Sequence, residues 1–414
     1  MRILFIHPGF PGPFRHMALA LGALKDMSVL FLSERRRKGV RLPGVRRLSV
    51  TGVADADGED DAEREMRMAL RRGANTANAM LRLRHDGFVP DIIYAASGMG
   101  CGLYARDIFP GAYYAVYADW FYTRGPNHTF FNRGKPRPPV DFAPCRIRNL
   151  CQLNALAECD FAATSTHWQK KQYPDRLANL IRVIHEGVDT SFFSPNPDEK
   201  FVAEGCDLSH VRELVTFSGR SIEPFRGFPQ FYRCLPRLLA ARPQCHVLIM
   251  VPERAEGNAN GDANELSSSL AALRAEIPVD EKRVHFLGFR PYEEYRRLLR
   301  ASTVHVYLTA PFSLSSGLFE ALSCGCLVVG SDTEPVRELI RDGENGFLRD
   351  FWDTDGLADT VAELLENPRR FDPVRKAARR TILQNYDRNI LTPLHLKMLD
   401  ESWRRWRAGK GRIV

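Results

Sequence analysis

Pro311-Phe312-Ser313-Leu314-Ser315-Ser316-Gly317-Leu318-Phe319-Glu320-Ala321-Leu322-Ser323-Cys324-Gly325-Cys326-Leu327-Val328-Val329-Gly330-Ser331-Asp332 is the most informative stretch of this 414-residue chain. An aliphatic run ends near Thr309, a small polar turn follows, then a short helical pattern, then the buried run Leu327–Gly330. That order predicts strand, turn, helix and parallel strand. Ser315 is the expected N-cap, which leaves the amides of Ser316, Gly317 and Leu318 open at the helix start. Open amides and the helix dipole together make an anion site suited to a diphosphate. Glu320 lies in the first turns of that helix. Its carboxylate can accept from ribose hydroxyls or serve the helix dipole, and the residues alone leave both readings open.

The same alternation runs outward in both directions. Strands are predicted at Arg2–His7, Val29–Leu32, Asp91–Ala95, Ala112–Tyr117, Phe161–Thr164 and Leu180–Ile184, then at Leu214–Ser218, His246–Val251, Arg283–Leu287, Val304–Leu308 and Leu327–Gly330. Amphipathic helices are predicted between them, at Arg15–Lys25, Arg64–Arg84, Ile147–Cys159, Pro229–Ala241, Pro291–Arg300 and Gly356–Glu366. Strands alternating with helices mean α/β architecture with parallel sheets. The polar, proline-containing Ser194–Asp198 reads as a linker. The expectation is therefore two doubly wound, Rossmann-like domains, 1–195 and 196–389, with a ligand cleft between them. A tail, 390–414, is expected to pack back on the first domain. In such sheets ligands lie beyond the carboxyl ends of the strands.

Other candidates sit on those strand ends. Arg220 and Arg226 follow Leu214–Ser218, where two guanidinium groups can neutralise a diphosphate leaving group without a metal. The loop after the first strand, Pro8-Gly9-Phe10-Pro11-Gly12-Pro13-Phe14-Arg15-His16, has glycines that allow close backbone approach. Ser97-Gly98-Met99-Gly100-Cys101-Gly102 is similar. Asp119 follows Ala112–Tyr117; the alternatives are a ligand contact and a helix cap. His128 and His185 read as structural. Two Asp-x-Asp strings, Asp55–Asp57 and Asp353–Asp355, read as solvated carboxylates and not a metal pair.

The bulk numbers set the class. Hydrophobic residues are 44% and charged residues 26%, a core-forming composition. Nine cysteines, an odd number, fit a reducing compartment better than a disulfide framework. Cys324-Gly325-Cys326 reads as buried thiols. No run is long enough to span a bilayer and the N-terminus lacks a signal-peptide pattern, so a cytoplasmic location is expected. The net charge of +8 is clustered in Arg35–Lys38 with Arg46–Arg47, and in the tail Trp403–Arg412. Solvated faces account for such blocks; an anionic membrane surface or acceptor is the other candidate. The acidic stretch Asp55–Glu65 reads as solvated.

Taken together, these segments resemble the retaining family 4 glycosyltransferases of GT-B fold. The resemblance is strongest from Arg182, which opens onto Val183-Ile184-His185-Glu186-Gly187-Val188-Asp189, to Asp350. It points to a bacterial subgroup that opens with an HxxFPGxFRH-like loop and carries an acidic residue before a WFY-like triplet, here Asp119-Trp120-Phe121-Tyr122. It implies that Arg220 and Arg226 grip the donor diphosphate and that Glu320 binds the nucleotide ribose. Ser315, Ser316, Gly317 and Leu318 would meet the diphosphate through their amides, and Gly12 would lie near the donor phosphates. Gly288, Phe289 and Arg290 would border the base. Asp119, with Arg15 and His16, would lie at the transferred sugar or the acceptor, Asp119 being the candidate base. One position departs: the first glutamate of the family's E-x7-E motif, which contacts the donor sugar, is Phe312 here.

The expected reaction moves a sugar from a nucleoside diphosphate to an acceptor hydroxyl, with retention implied by the resemblance, and no metal or other cofactor is expected. The acceptor class is a glycan, a lipid-linked glycan or a small molecule. The alternatives are a sugar-nucleotide epimerase and a catalytically silent nucleotide-sugar binder, the latter suggested by Phe312. No nucleic-acid recognition module is visible.

Overall fold

The first strand, β1 (Arg2–Ile6), is buried from Ile3 onward, because every side chain of a central parallel strand meets a helix layer on one face or the other. The computed structural model describes residues 1–36, 40–53, 61–123, 131, 143–219, 222, 224–251 and 263–410. Two compact units emerge. One is Met1–Gly125, Asn132–Gly187 and Arg388–Val414; the other is Pro126–Phe131 and Val188–Asp387.

In the first unit β2 (Ser28–Ser33), β3 (Val45–Ser49), β4 (Ile92–Ala96), β5 (Tyr113–Tyr117), β6 (Phe161–Thr164) and β7 (Ile181–Val183) join β1 in one sheet. The spatial order is β3-β2-β1-β4-β5-β6-β7. Every pairing in it is parallel. Helices α1 (Arg15–Gly22), α2 (Asp61–His85) and α3 (Ala143–Glu158) supply the crossovers.

The second unit has β8 (Glu213–Ser218), β9 (Cys245–Met250), β10 (Val284–Phe286), β11 (Val304–Tyr307), β12 (Val328–Ser331) and β13 (Phe347–Arg349), in the order β10-β9-β8-β11-β12-β13. These pairings too are all parallel. Its helices include α4 (Phe228–Ala241), α5 (Tyr292–Ala301), α6 (Ser316–Ser323), α7 (Thr354–Glu366) and α8 (Asp372–Asn385). In both sheets the strand order reverses beside the first strand, so each has a switch point: between β1 and β4, and between β8 and β11.

Three expectations change. The chain enters the second unit at Val188, ahead of the linker expected at Pro195, because the Val188 amide bonds to the Tyr386 carbonyl (2.8 Å) and Phe193 is buried in that unit's core. The edge strands β3 and β13 carry no strong apolar alternation and were not read from the sequence. Arg46 and Arg47 belong to β3, and Arg47 is no free surface charge: its Nε donates to Ser33 Oγ (2.7 Å) and its guanidinium lies 5.7 Å from the Phe10 ring centroid.

The tail forms α9 (Arg388–Lys410) and belongs to the first unit. Trp403 and Trp406 pack on the first unit's core instead of facing outward, with Trp406 edge-on to Tyr113 at 5.4 Å. The Tyr113 hydroxyl donates to Ser402 Oγ (2.6 Å). Arg404, Arg405 and Arg407 stay exposed, Arg407 with its guanidinium 5.4 Å from the Trp403 ring centroid. No described helix is long and apolar enough to cross a membrane.

All nine cysteines are free thiols. Burial pushes the Cys326 thiol up to about 12, so it behaves as a small apolar side chain.

Candidate functional site

The switch point of the second unit carries the densest cluster of candidates. Gly227 adopts φ +71° and starts α4, which turns the chain sharply after β8. The preceding turn presents Arg226, whose Nη1 donates to Thr309 Oγ1 (3.1 Å) and to the Ser313 carbonyl (2.9 Å). Those partners follow β11, so one guanidinium spans the two loops that flank the switch point. The Ala310 amide bonds to the Phe225 carbonyl (2.7 Å) and ties the loops again. Arg226 also lies over two rings, 5.3 Å from the Phe225 centroid and 5.1 Å from Phe312. Phe225 and Phe312 meet edge to face at 5.5 Å. Stacking and hydrogen bonding together hold the guanidinium plane in place. Arg220 lies outside the described residues.

Ser315 takes the N-cap position of α6 with φ −82° and ψ 150°, but its side chain makes no capping bond, contrary to expectation. The reason is Tyr307 at the end of β11. Its hydroxyl accepts from the Ser315 amide (3.1 Å) and holds the Ser315 hydroxyl at 3.4 Å. Of the three amides expected to be open, that of Leu318 bonds to the Ser315 carbonyl (3.2 Å). Ser316 and Gly317 therefore present the N–H groups of the helix start. Glu320, one turn on, is 6% exposed, and its Oε1 accepts from the Tyr292 hydroxyl on α5. A buried carboxylate held by a phenol can accept hydroxyl donors in a fixed direction.

The base-bordering candidates divide. Gly288 has φ +64° and Phe289 is 61% exposed beside it. Arg290 is turned to local structure, donating from Nε to the Leu287 carbonyl (3.0 Å), with Glu294 at 3.8 Å. Asp353 caps α7 by accepting from the Gly356 amide (2.9 Å), and Asp355 stands 3.9 Å from Arg237. Both carboxylates are exposed, as expected, and Asp353 serves in addition as the helix cap. Asp55–Asp57 and His128 lie outside the described residues.

The first unit gathers a second group at its own strand ends. Gly12 has φ +53°, and a Cβ there would stand 2.6 Å from His7 Nδ1, so only glycine fits. His7 Nδ1 meets the Gly9 backbone at both its carbonyl (2.7 Å) and its amide (3.0 Å) and shapes that loop. Arg15 and His16 begin α1 directly after it. Asp119, after β5, has its carbonyl bound by Gln169 Nε2 (2.7 Å), with Oδ1 at 3.5 Å from the same nitrogen. His185 is buried, and its Nδ1 accepts from the Gly187 amide (3.0 Å).

Tyr292, Tyr307, Ser165 and Glu186 escaped the sequence reading. Tyr292 and Glu320 are 28 positions apart and meet only because α5 and α6 pack together. Glu186 stands in the sequence as one residue of the Val183–Asp189 motif, with no local signal of its own.

Two family models match in tandem: one described as "Glycosyl transferase family 4 group" over residues 25–193, and "Glycosyl transferases group 1" over residues 212–367. The D-inositol 3-phosphate glycosyltransferase of Mycolicibacterium smegmatis is 30% identical over 238 residues, 56% of this chain and 49% of that one. The phosphatidyl-myo-inositol mannosyltransferase of the same organism is 28% identical over 215 residues, 50% of this chain and 49% of that one. The chain thus spans about half the length of the curated relatives it matches. Among solved structures, Anabaena HepE in complex with UDP-glucose superposes with a TM-score of 0.69 at 16% identity, covering 97% of this chain and all of that one. Sucrose-phosphate synthase of Thermosynechococcus elongatus gives 0.72 at 14% identity, covering 99% of this chain and 100% of that one. Two parallel Rossmann-like units, tandem matches along both and full-length structural likeness lead to one conclusion: the chain belongs to the family 4 glycosyltransferases of GT-B fold.

Proposed function

We propose that this protein transfers a sugar from a nucleoside diphosphate sugar to an acceptor hydroxyl. One observation carries the reading: Arg226 bridges the loops after β8 and β11, and the second of those loops leads into α6, whose start carries the Ser316 and Gly317 amides and whose first turns carry Glu320. A cation, helix N–H groups and a ribose-type acceptor on one switch point form a nucleotide diphosphate site.

The chemistry follows from that charge layout. Breaking the bond to the anomeric carbon builds positive charge on the sugar and negative charge on the departing diphosphate. Arg226 and the α6 amides stabilise the latter, with Arg220 as its proposed partner. These groups fill the charge-neutralising role, so the reading calls for no metal. Gly12, Asp119, Arg15 and His16 are the first unit's candidates for donor-phosphate, sugar and acceptor contact, with Asp119 as base. Retention belongs to this proposal through family membership. The curated relatives are named for inositol phosphate and phosphatidyl-inositol acceptors, which supports a polyol-type acceptor, free or lipid-linked. Peripheral contact with anionic lipid is part of the proposal, through exposed Arg404, Arg405 and Arg407 with Ile390 and Leu394 on α9.

Phe312 favours a second reading, a nucleotide-sugar binder without turnover, because an aromatic ring cannot replace a carboxylate that holds sugar hydroxyls. A thermal-shift panel of UDP, GDP, ADP and their sugar conjugates tests the site, since a ligand of the native state raises the melting point. If no nucleotide shifts it, both readings fall. Binding without any release of nucleotide across an acceptor panel selects the second.

A further inference from the structure

A hydrogen-bonded chain crosses the carboxyl ends of β5, β6 and β7 in the first unit, and it ends on Glu186. Ser165, just after β6, donates from Oγ to Glu186 Oε2 (2.7 Å). Ser165 has one proton, so the Tyr117 hydroxyl, 2.6 Å away at the end of β5, must be donating to Ser165. His185 adds a third group. Its Nδ1 accepts from the Gly187 amide, so the ring proton sits on Nε2, 3.7 Å from the same Oε2.

Burial opposes charge on Glu186, but the His185 imidazole, the Ser165 hydroxyl, its own backbone amide and His16 outweigh it and hold the carboxyl below its usual range. The carboxylate is therefore ionised. Its side chain is still 26% exposed, unlike His185 at 4%. A carboxylate has about four lone-pair positions. The protein orients this one through Oε2 and leaves accepting capacity on its accessible side. It stands where open parallel sheets bind ligands. A purely structural carboxylate would be closed off from solvent as its neighbours are: Tyr117 is 9% exposed and Ser165 8%.

The ligand chemistry follows from the charge. An oriented anion with acceptor capacity takes hydroxyl donors, ideally a vicinal pair, and repels a phosphate. We propose that Glu186 is a hydroxyl-binding residue for the sugar acceptor, selecting an uncharged polyol face over a phosphate ester at that point. This rests on the glycosyl-transfer reading. It assigns Glu186 to the acceptor because Arg226, Ser316 and Glu320, the candidates for the diphosphate and ribose, belong to the second unit, and the first unit's donor-phosphate candidate, Gly12, offers only backbone.

Saturation-transfer NMR on the full chain with UDP present tests it, using glucose and myo-inositol against glucose 6-phosphate and myo-inositol phosphate. The wild type should bind the neutral polyols in preference to their phosphates. Glu186→Gln keeps the shape and the Ser165 bond but removes the charge. It should weaken polyol binding by about tenfold, the worth of one charge-assisted hydrogen bond. Its UDP affinity should stay unchanged, which shows that the fold is intact. Ser165→Ala, which only loosens the carboxylate, should give a smaller loss. Tighter binding of the phosphates by the wild type overturns the proposal. So does polyol binding by Glu186→Gln within twofold of wild type, or no transfer to any polyol while UDP binds. Failure of UDP itself to bind would instead overturn the glycosyl-transfer reading.

Discussion

The Tyr292 hydroxyl donates a hydrogen bond to Glu320 Oε1, linking α5 to α6. Tyr292 is itself fixed, its ring stacked on Phe192 at 5.9 Å and 18°. The proposed ribose acceptor is thus aimed by a side chain of the neighbouring helix. Tyr292→Phe removes the aiming bond while keeping the ring. Nucleotide affinity should fall about fivefold to tenfold, the worth of roughly 1 kcal/mol. Calorimetry with UDP and with its 2′,3′-dideoxy analogue checks this. The analogue has no hydroxyls for Glu320, so its affinity should not change.

Arg226→Ala should lower turnover by about 10²–10³, the usual effect of removing one donor to developing charge. Arg226→Lys keeps the charge but cannot reach both Thr309 and Ser313 in one plane, so it should fall between. Steady-state rates at saturating donor separate the two. Turnover by Arg226→Ala equal to wild type would remove Arg226 from the mechanism.

Gly227→Ala is a backbone test of the same loop. A Cβ there would lie 2.3 Å from Leu308 Cβ, in a residue with φ +71°. Left-handed strain and overpacking together should cost about 2–4 kcal/mol in urea unfolding. The retained activity should fall as well, since Arg226 is the preceding residue.

Acid should weaken the fold in a defined window. His305 bonds to Thr216 Oγ1 (2.8 Å) and His395 to the Tyr94 hydroxyl (2.9 Å), both in buried positions. Burial lowers each imidazole from its ordinary 6.5 to about 4. Above pH 6.5 both states are neutral and stability is unaffected. As pH falls from 6.5 to 4 the unfolded chain takes up the protons and the folded chain does not. Each site then costs on the order of 3 kcal/mol by the lower end. Unfolding midpoints measured across that window should drop less for His395→Gln than for the wild type.

Trp406→Ala should lower stability by about 2 kcal/mol, because the indole is only partly covered where it packs on the first unit's core, edge-on to Tyr113. Denaturant melts check this. A change in soluble yield alone, with an unchanged midpoint, would place Trp406 on the surface.

The strand ends that position Arg226, Glu320, Gly12 and Asp119 were legible because aliphatic runs in regular alternation with helical patterns allow few arrangements other than parallel sheets. The edge strands Val45–Ser49 and Phe347–Arg349 were not, since an edge is half wet and needs little apolar alternation. Ser315 was legible as a cap position, but not its loss of the capping bond, because Tyr307 competes from the end of β11. The sequence by itself determined the layer architecture, the strand-end loops on which the proposed site rests and the absence of a carboxylate at position 312. Only the tertiary structure decided that Tyr292 aims Glu320, that Phe225 and Phe312 hold Arg226, and that Tyr117, Ser165 and His185 converge on Glu186. Periodicity is a local property of the chain, whereas a hydrogen bond across many positions exists only once packing has brought both partners to one place.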